Sequence, residues 1–117
     1  MKRTLGLALA ATLATTATWA DTTPMEVMFK DGVVETSLTG QPGNAADGRA
    51  VFANRKQGNC LACHVNPDLA EESFHGEVGP TMEGVAARWS EAELRAIVGN
   101  SKMVFEGAIM PAFYLDS

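Results

Sequence analysis

At 117 residues the chain has room for one small domain with a thin core. Nine Lys and Arg against fourteen Asp and Glu give a formal charge of −5, which argues against nucleic acid and anionic membrane surfaces and suits a partner with a basic face. A domain this small often needs a staple beyond its own side chains.

Residues 1–20 read as a secretory signal. Lys2 and Arg3 make a positive start, Leu5 to Leu13 is an apolar run too short for a permanent span, and Thr18-Trp19-Ala20 ends in a small residue suited to cleavage. An uncleaved membrane anchor is the weaker reading, because the apolar run is short and threaded with Thr. Cleavage leaves 97 residues with seven basic against fourteen acidic side chains, a formal charge of −7, and places the mature chain in the periplasm. Residues 21–44 are punctuated by Pro24, Gly32, Gly40, Pro42 and Gly43 and hold no helical period, so a loosely extended segment is expected, with short contacts from Val33, Val34 and Leu38. From Ala45 to Asn54 the pattern turns helical behind Asn44 as N-cap, with Ala46, Ala50, Val51 and Phe52 on roughly one side. Residues 65–80 form a loop broken by Pro67, Gly76, Gly79 and Pro80. Ser90 and Glu93 then make a capping box, with Trp89 and Leu94 as hydrophobic staple. Leu94, Ile97 and Val98 supply the apolar stripe, and Gly99-Asn100 the stop. A last loop, 100–117, carries Met103, Phe105, Met110, Pro111 and Phe113.

Between the first helix and the loop stands Cys60-Leu61-Ala62-Cys63-His64. Two cysteines in an exported chain ordinarily suggest a disulfide. Here the spacing and the adjacent histidine fit covalent haem attachment, in which both thiols add to the vinyl groups and His64 sits under the iron as proximal ligand. Three rivals are weaker. A thioredoxin-like redox pair needs a βαβ pattern that is not visible. A structural zinc site needs four ligands, and Cys60, Cys63, His64 and the distant His75 are the most the chain offers. Chance occurrence sits poorly with an export signal.

For the iron's other face, methionine suits electron transfer. Met110 is preferred, because Pro111 stiffens the loop that presents it. Met103 is the alternative, more simply a core filler. If Met110 were itself a core side chain, the iron would be open or take His75, which otherwise reads as a loop histidine.

The order helix, C-x-x-C-H, Gly-Pro, helix, Met-Pro resembles class I cytochromes c, an all-α fold of helices and loops around one haem. More narrowly the chain resembles the SoxX monohaem cytochromes of the thiosulfate-oxidising Sox system. The stretches carrying this are Phe29–Gly32, Ser37–Gly40, Arg55–His64, Phe74–Pro80, Arg88–Arg95 and Ile109–Tyr114. The resemblance implies one covalent haem c on Cys60 and Cys63, with His64 and Met110 as axial ligands. It also implies that the Pro80 carbonyl accepts from His64, although Gly79-Pro80 alone would read as a turn. It implies a heterodimer with a SoxA-like subunit that holds the catalytic haem. That pair joins thiosulfate to a cysteine of a SoxYZ-like carrier, the activity of an L-cysteine S-thiosulfotransferase, and its electrons pass to a soluble cytochrome c. A free periplasmic electron carrier and a haem sensor are the competing functions. In this family a final helix crosses the first, and no helical pattern follows Pro111 here. The domain over 45–117 is therefore expected to be C-terminally truncated. With Ala46, Ala50 and Phe52 uncovered, it should be unstable alone by several kcal/mol at about 25 cal/mol per Å².

Overall fold

The computed structural model describes residues 21–116, and the signal predicted over 1–20 lies outside them. The described residues form three α-helices joined by 3-10 turns and loops, with one isolated bridge, Lys30–Val33, and no strand among them. The all-α expectation holds. Helix α1 spans Ala45–Ala53, α2 Val85–Arg88 and α3 Glu91–Asn100.

Helix α1 starts where Asn44 can satisfy its free amides: the Asn44 carboxamide accepts from Ala46 N (2.9 Å) and Asp47 N (3.1 Å). It ends at Asn54, whose side chain accepts from Lys56 N at 2.9 Å. Among the described residues α1 has none that is buried, and Ala46, Ala50 and Val51 are exposed while Phe52 is half-buried.

Helix α3 is set by the predicted capping box. Ser90 Oγ accepts from Glu93 N, and Glu93 Oε2 accepts from Ser90 N at 2.7 Å. Its apolar stripe differs from the expected one. Ala96 is fully buried and Gly99 buried, while Val98 is half-exposed. The helix ends at Asn100, at the predicted stop, and the ring of Phe29 lies in ordinary contact range of Gly99, 3.8 Å from where a Cβ would stand. Small residues at 96 and 99 let another segment close on the helix, a requirement that an apolar period does not reveal. Trp89 meets Phe105 edge-on, with ring centroids 5.7 Å apart.

That closing segment is the N-terminal one, expected to be loose and in fact tied down. Asp31 (φ 52°) and Gly32 (φ 80°) make the left-handed turn between Lys30 and Val33. Val34 N then donates to Ala92 O at 3.0 Å. The Arg95 guanidinium donates to Val34 O (2.6 Å) and Glu35 O (3.2 Å) and pairs with Glu91. The Tyr114 hydroxyl donates to the Thr22 carbonyl. These are isolated bonds, several of them from side chains to main-chain carbonyls, and they leave no period in the sequence.

The buried apolar residues are Val34, Leu61, Leu69 and Ala96, while Phe74, Val78, Met103, Phe105, Ile109 and Phe113 stay exposed. The protein alone does not cover its own apolar surface.

Arg95→Ala is expected to lower the unfolding free energy by about 1–3 kcal/mol and to speed proteolysis within residues 21–38, as read by chemical denaturation and limited digestion. The Glu93 carboxyl is held below its ordinary value of 4.5, first by the Ser90 main-chain N–H and then by its hydroxyl. The stability it contributes is therefore present above pH 4.5 and lost as pH falls through the lower folded value. Ser90→Ala should melt lower at neutral pH and lose less on acidification, in thermal melts over that range.

Candidate functional site

The motif begins with Asn59 in the left-handed region (φ 51°), which turns the chain into the 3-10 turn Cys60–Ala62. Positions i and i+3 eclipse in such a turn, so Cys60 and Cys63 project from the same edge. Cys60 O accepts from both Cys63 N (3.1 Å) and His64 N (3.0 Å). Leu61, between the thiols, is 6% exposed and anchors the turn in the core. Gly58 is required just before it: a Cβ there would lie 2.8 Å from Val51 O and 3.0 Å from Cys60 Sγ. Both cysteines are free thiols, half-buried. Burial pushes the Cys60 thiol up, the opposite of what a thioredoxin-like pair requires.

His64 is held by the loop that follows it. Gly76 N donates to Leu61 O (2.7 Å), Gly79 N to Cys63 O (2.8 Å) and Met82 N to Val65 O (2.8 Å). These bonds fold the loop back until Pro80 O stands 2.7 Å from His64 Nδ1. A carbonyl can only accept, so Nδ1 carries the proton and Nε2 keeps its lone pair for a metal. The approach is close enough to forbid side chains. A Cβ on Gly79 would sit 2.3 Å from His64 Cε1, and one on Gly76 2.0 Å from Ala62 O.

His75 has no ring nitrogen to spare. Asn66 N donates to its Nδ1 (3.1 Å), and its Nε2 donates to Leu69 O (3.0 Å). It serves the loop as a local brace. Among the described residues no group of three or more His, Cys, Asp or Glu is arranged to hold a metal ion, so the zinc reading has no ligand set.

Met110 belongs to a separate unit. It is half-buried, on the segment that returns to the last turn of α3. There Phe113 N donates to Val98 O (3.3 Å) and Gly99 O (3.1 Å), and Tyr114 N to Gly99 O (3.1 Å). Met110 O accepts from the Ser101 hydroxyl at 2.9 Å. Met103, the other candidate, is 58% exposed. The structure thus joins Cys60, Cys63, His64 and Pro80 into one bonded unit, with Met110 anchored on α3 instead.

Two thiols on one edge, an imidazole with a free Nε2 and a set of uncovered apolar side chains fit a haem. Sequence reasoning passed over Gly76 and Ser101. Gly76 reads as a loop breaker and Ser101 as a residue past a helix stop, and neither motif nor period marks a close approach or a buried hydroxyl.

Gly79→Ala is expected to displace His64 and cut the fraction of chains carrying covalent haem severalfold, by mass spectrometry after expression with maturation machinery. Pro80→Ala keeps the carbonyl and should leave that fraction nearly unchanged.

The cytochrome c family model matches residues 45–116. Among solved structures the chain is similar to SoxXA from P. pantotrophus, at 47% identity over 81% of this chain and 69% of that one, with a TM-score of 0.79. A comparison with curated protein sequences gave no match. Family membership brings a covalently attached haem c, and Cys60 and Cys63 fit its attachment motif. The chain belongs to the cytochrome c family, as a SoxX-like monohaem member.

Proposed function

We propose that the chain is the electron-accepting subunit of a SoxAX-type heterodimer, acting in the periplasm once residues 1–20 are removed. The observation that carries this reading is the 47% identity to SoxXA over 81% of the chain, which takes in the N-terminal segment as well as the haem motif. No helix among the described residues is long and apolar enough to cross a membrane.

Bound haem c supplies a one-electron iron couple. Cys60 and Cys63 would hold it through thioethers, and His64 Nε2 would ligate its iron. The Pro80 carbonyl, 2.7 Å from Nδ1, fixes the tautomer and raises the basicity of the ligating nitrogen. The Met110 thioether would supply the second ligand and would raise the potential, as an electron-accepting site requires.

The partner is a SoxA-like haem subunit, where the thiosulfate chemistry takes place. Joining thiosulfate to the cysteine thiol of a SoxYZ-like carrier forms one S–S bond and releases one proton and two electrons. A monohaem chain carries those electrons singly to a soluble cytochrome c. Its own residues make and break no substrate bond, so it serves an L-cysteine S-thiosulfotransferase by electron transfer.

Co-expression with a SoxA-like subunit is expected to give a one-to-one complex on size exclusion, and recovery of the chain alone would favour a free carrier. Met110→Ala should abolish the weak red-edge sulfur-to-iron band of the ferric protein and lower its potential. Persistence of the band would move the role to Met103.

A further inference from the structure

Ser101 is the one polar side chain buried among the described residues, at 2% exposure, and together with Leu69 it is the largest side chain that is wholly enclosed. A buried hydroxyl without a partner is costly, so what it bonds to is informative. Ser101 Oγ donates to the main-chain carbonyl of Met110 at 2.9 Å, across nine positions of sequence. Its own carbonyl accepts from Val104 N (3.0 Å) and Phe105 N (2.9 Å) and turns the chain out of α3. The far end of the segment returns through Phe113 N and Tyr114 N to the Val98 and Gly99 carbonyls. The segment from Val104 to Ala112 is thus tied at both ends to the last turn of one helix, and Ser101 adds the tie at Met110 itself.

We propose that Ser101 is a positioning residue for the iron's methionine ligand, holding the Met110 main chain so that its sulfur resists replacement by an external ligand. The inference rests on the reading of Met110 as sixth ligand. The physical argument concerns the open state. Where displacement of the sulfur by a small ligand moves the 104–112 loop, the bond between the buried Ser101 hydroxyl and the Met110 carbonyl has to break. A buried hydrogen bond left unmade opposes that opening by enough to change an equilibrium roughly tenfold. Without the hydroxyl the loop opens with no such opposition.

The experiment titrates the ferric holoprotein with imidazole, following loss of the red-edge sulfur-to-iron band. Ser101→Ala is expected to bind imidazole roughly 5- to 10-fold more tightly than the parent, with its far-UV spectrum unchanged. Ser101→Thr, which keeps the donor, should return towards the parental affinity. If the alanine form does not accumulate, Ser101→Cys, similar in size with a weak donor, is expected to show the same gain. Equal imidazole affinity in the parent and the donor-less variant overturns the proposal. Met110→Ala separates the two readings. If the band survives that change, Met110 is not the ligand and the inference falls with it. If the band is lost there while Ser101→Ala matches the parent, the role of Met110 stands and only that of Ser101 is refuted.

Discussion

The bond between His64 Nδ1 and the Pro80 carbonyl organises the middle of the chain, because fifteen residues must fold back on themselves to make it. Each tie that brings them back depends on the one before. Gly76 N reaches Leu61 O only because residue 76 has no Cβ to strike Ala62 O, and Gly79 N then reaches Cys63 O with the His64 ring lying against a bare Cα. The carbonyl is held from the other side as well. Arg88, at the end of α2, donates to Thr81 O at 3.0 Å and to Glu83 O. The short helix α2 therefore has a use beyond connecting two loops. Arg49 of α1 adds a link to Asp68 O at 2.8 Å and pairs with Glu71. That pair is about half exposed on each side, so its weight is in direction rather than energy.

The second constraint is the shortage of interior. Val34, Leu61, Leu69 and Ala96 cannot by themselves offset the entropy of ordering a domain this size. The large apolar side chains that would normally make up the difference are instead spread along the loops at 74–78 and 103–113. A flat apolar cofactor bonded to the Cys60–Cys63 edge would offer apolar surface for such side chains to bury against. Cofactor attachment and folding are then coupled, since a group bound only by the folded chain stabilises it.

Legibility followed the reach of each interaction. The Asn44 cap, the Ser90–Glu93 box and the Cys60–His64 motif are short-range devices whose residue types and spacing state their purpose, and the structure realises each of them. The Pro80 carbonyl lay further away in sequence, and the resemblance pointed to it before any distance did. The features that escaped are those in which the informative fact is a neighbour. The burial of Gly99 against Phe29 escaped because nothing local shows which segment packs on that face of the helix. The segment before residue 44 read as loose because Val34–Ala92 and Arg95–Val34 pair residues that are about 60 positions apart. Ser101 left no trace, since one serine after a helix can as easily face water as a carbonyl.

The two proposed iron ligands, His64 and Met110, are held in unequal ways, a difference that would bear on electron transfer. His64 is gripped at its own ring, by a 2.7 Å hydrogen bond to the Pro80 carbonyl and the bare face of Gly79, and it is adjacent in sequence to a covalent attachment point. Met110 is gripped only through its main chain, at the ends of its loop and at its carbonyl, while its thioether hangs on a flexible stem. A proximal side fixed this firmly keeps the imidazole in one orientation as the iron changes charge. The distal side has to remain both closed and apolar for the thioether to hold the potential up. The loop that carries Met110 also carries Phe105, Ile109 and Phe113, all of them exposed in this structure. A partner that covers this loop would bury those side chains and hold the Met110 segment at the same time.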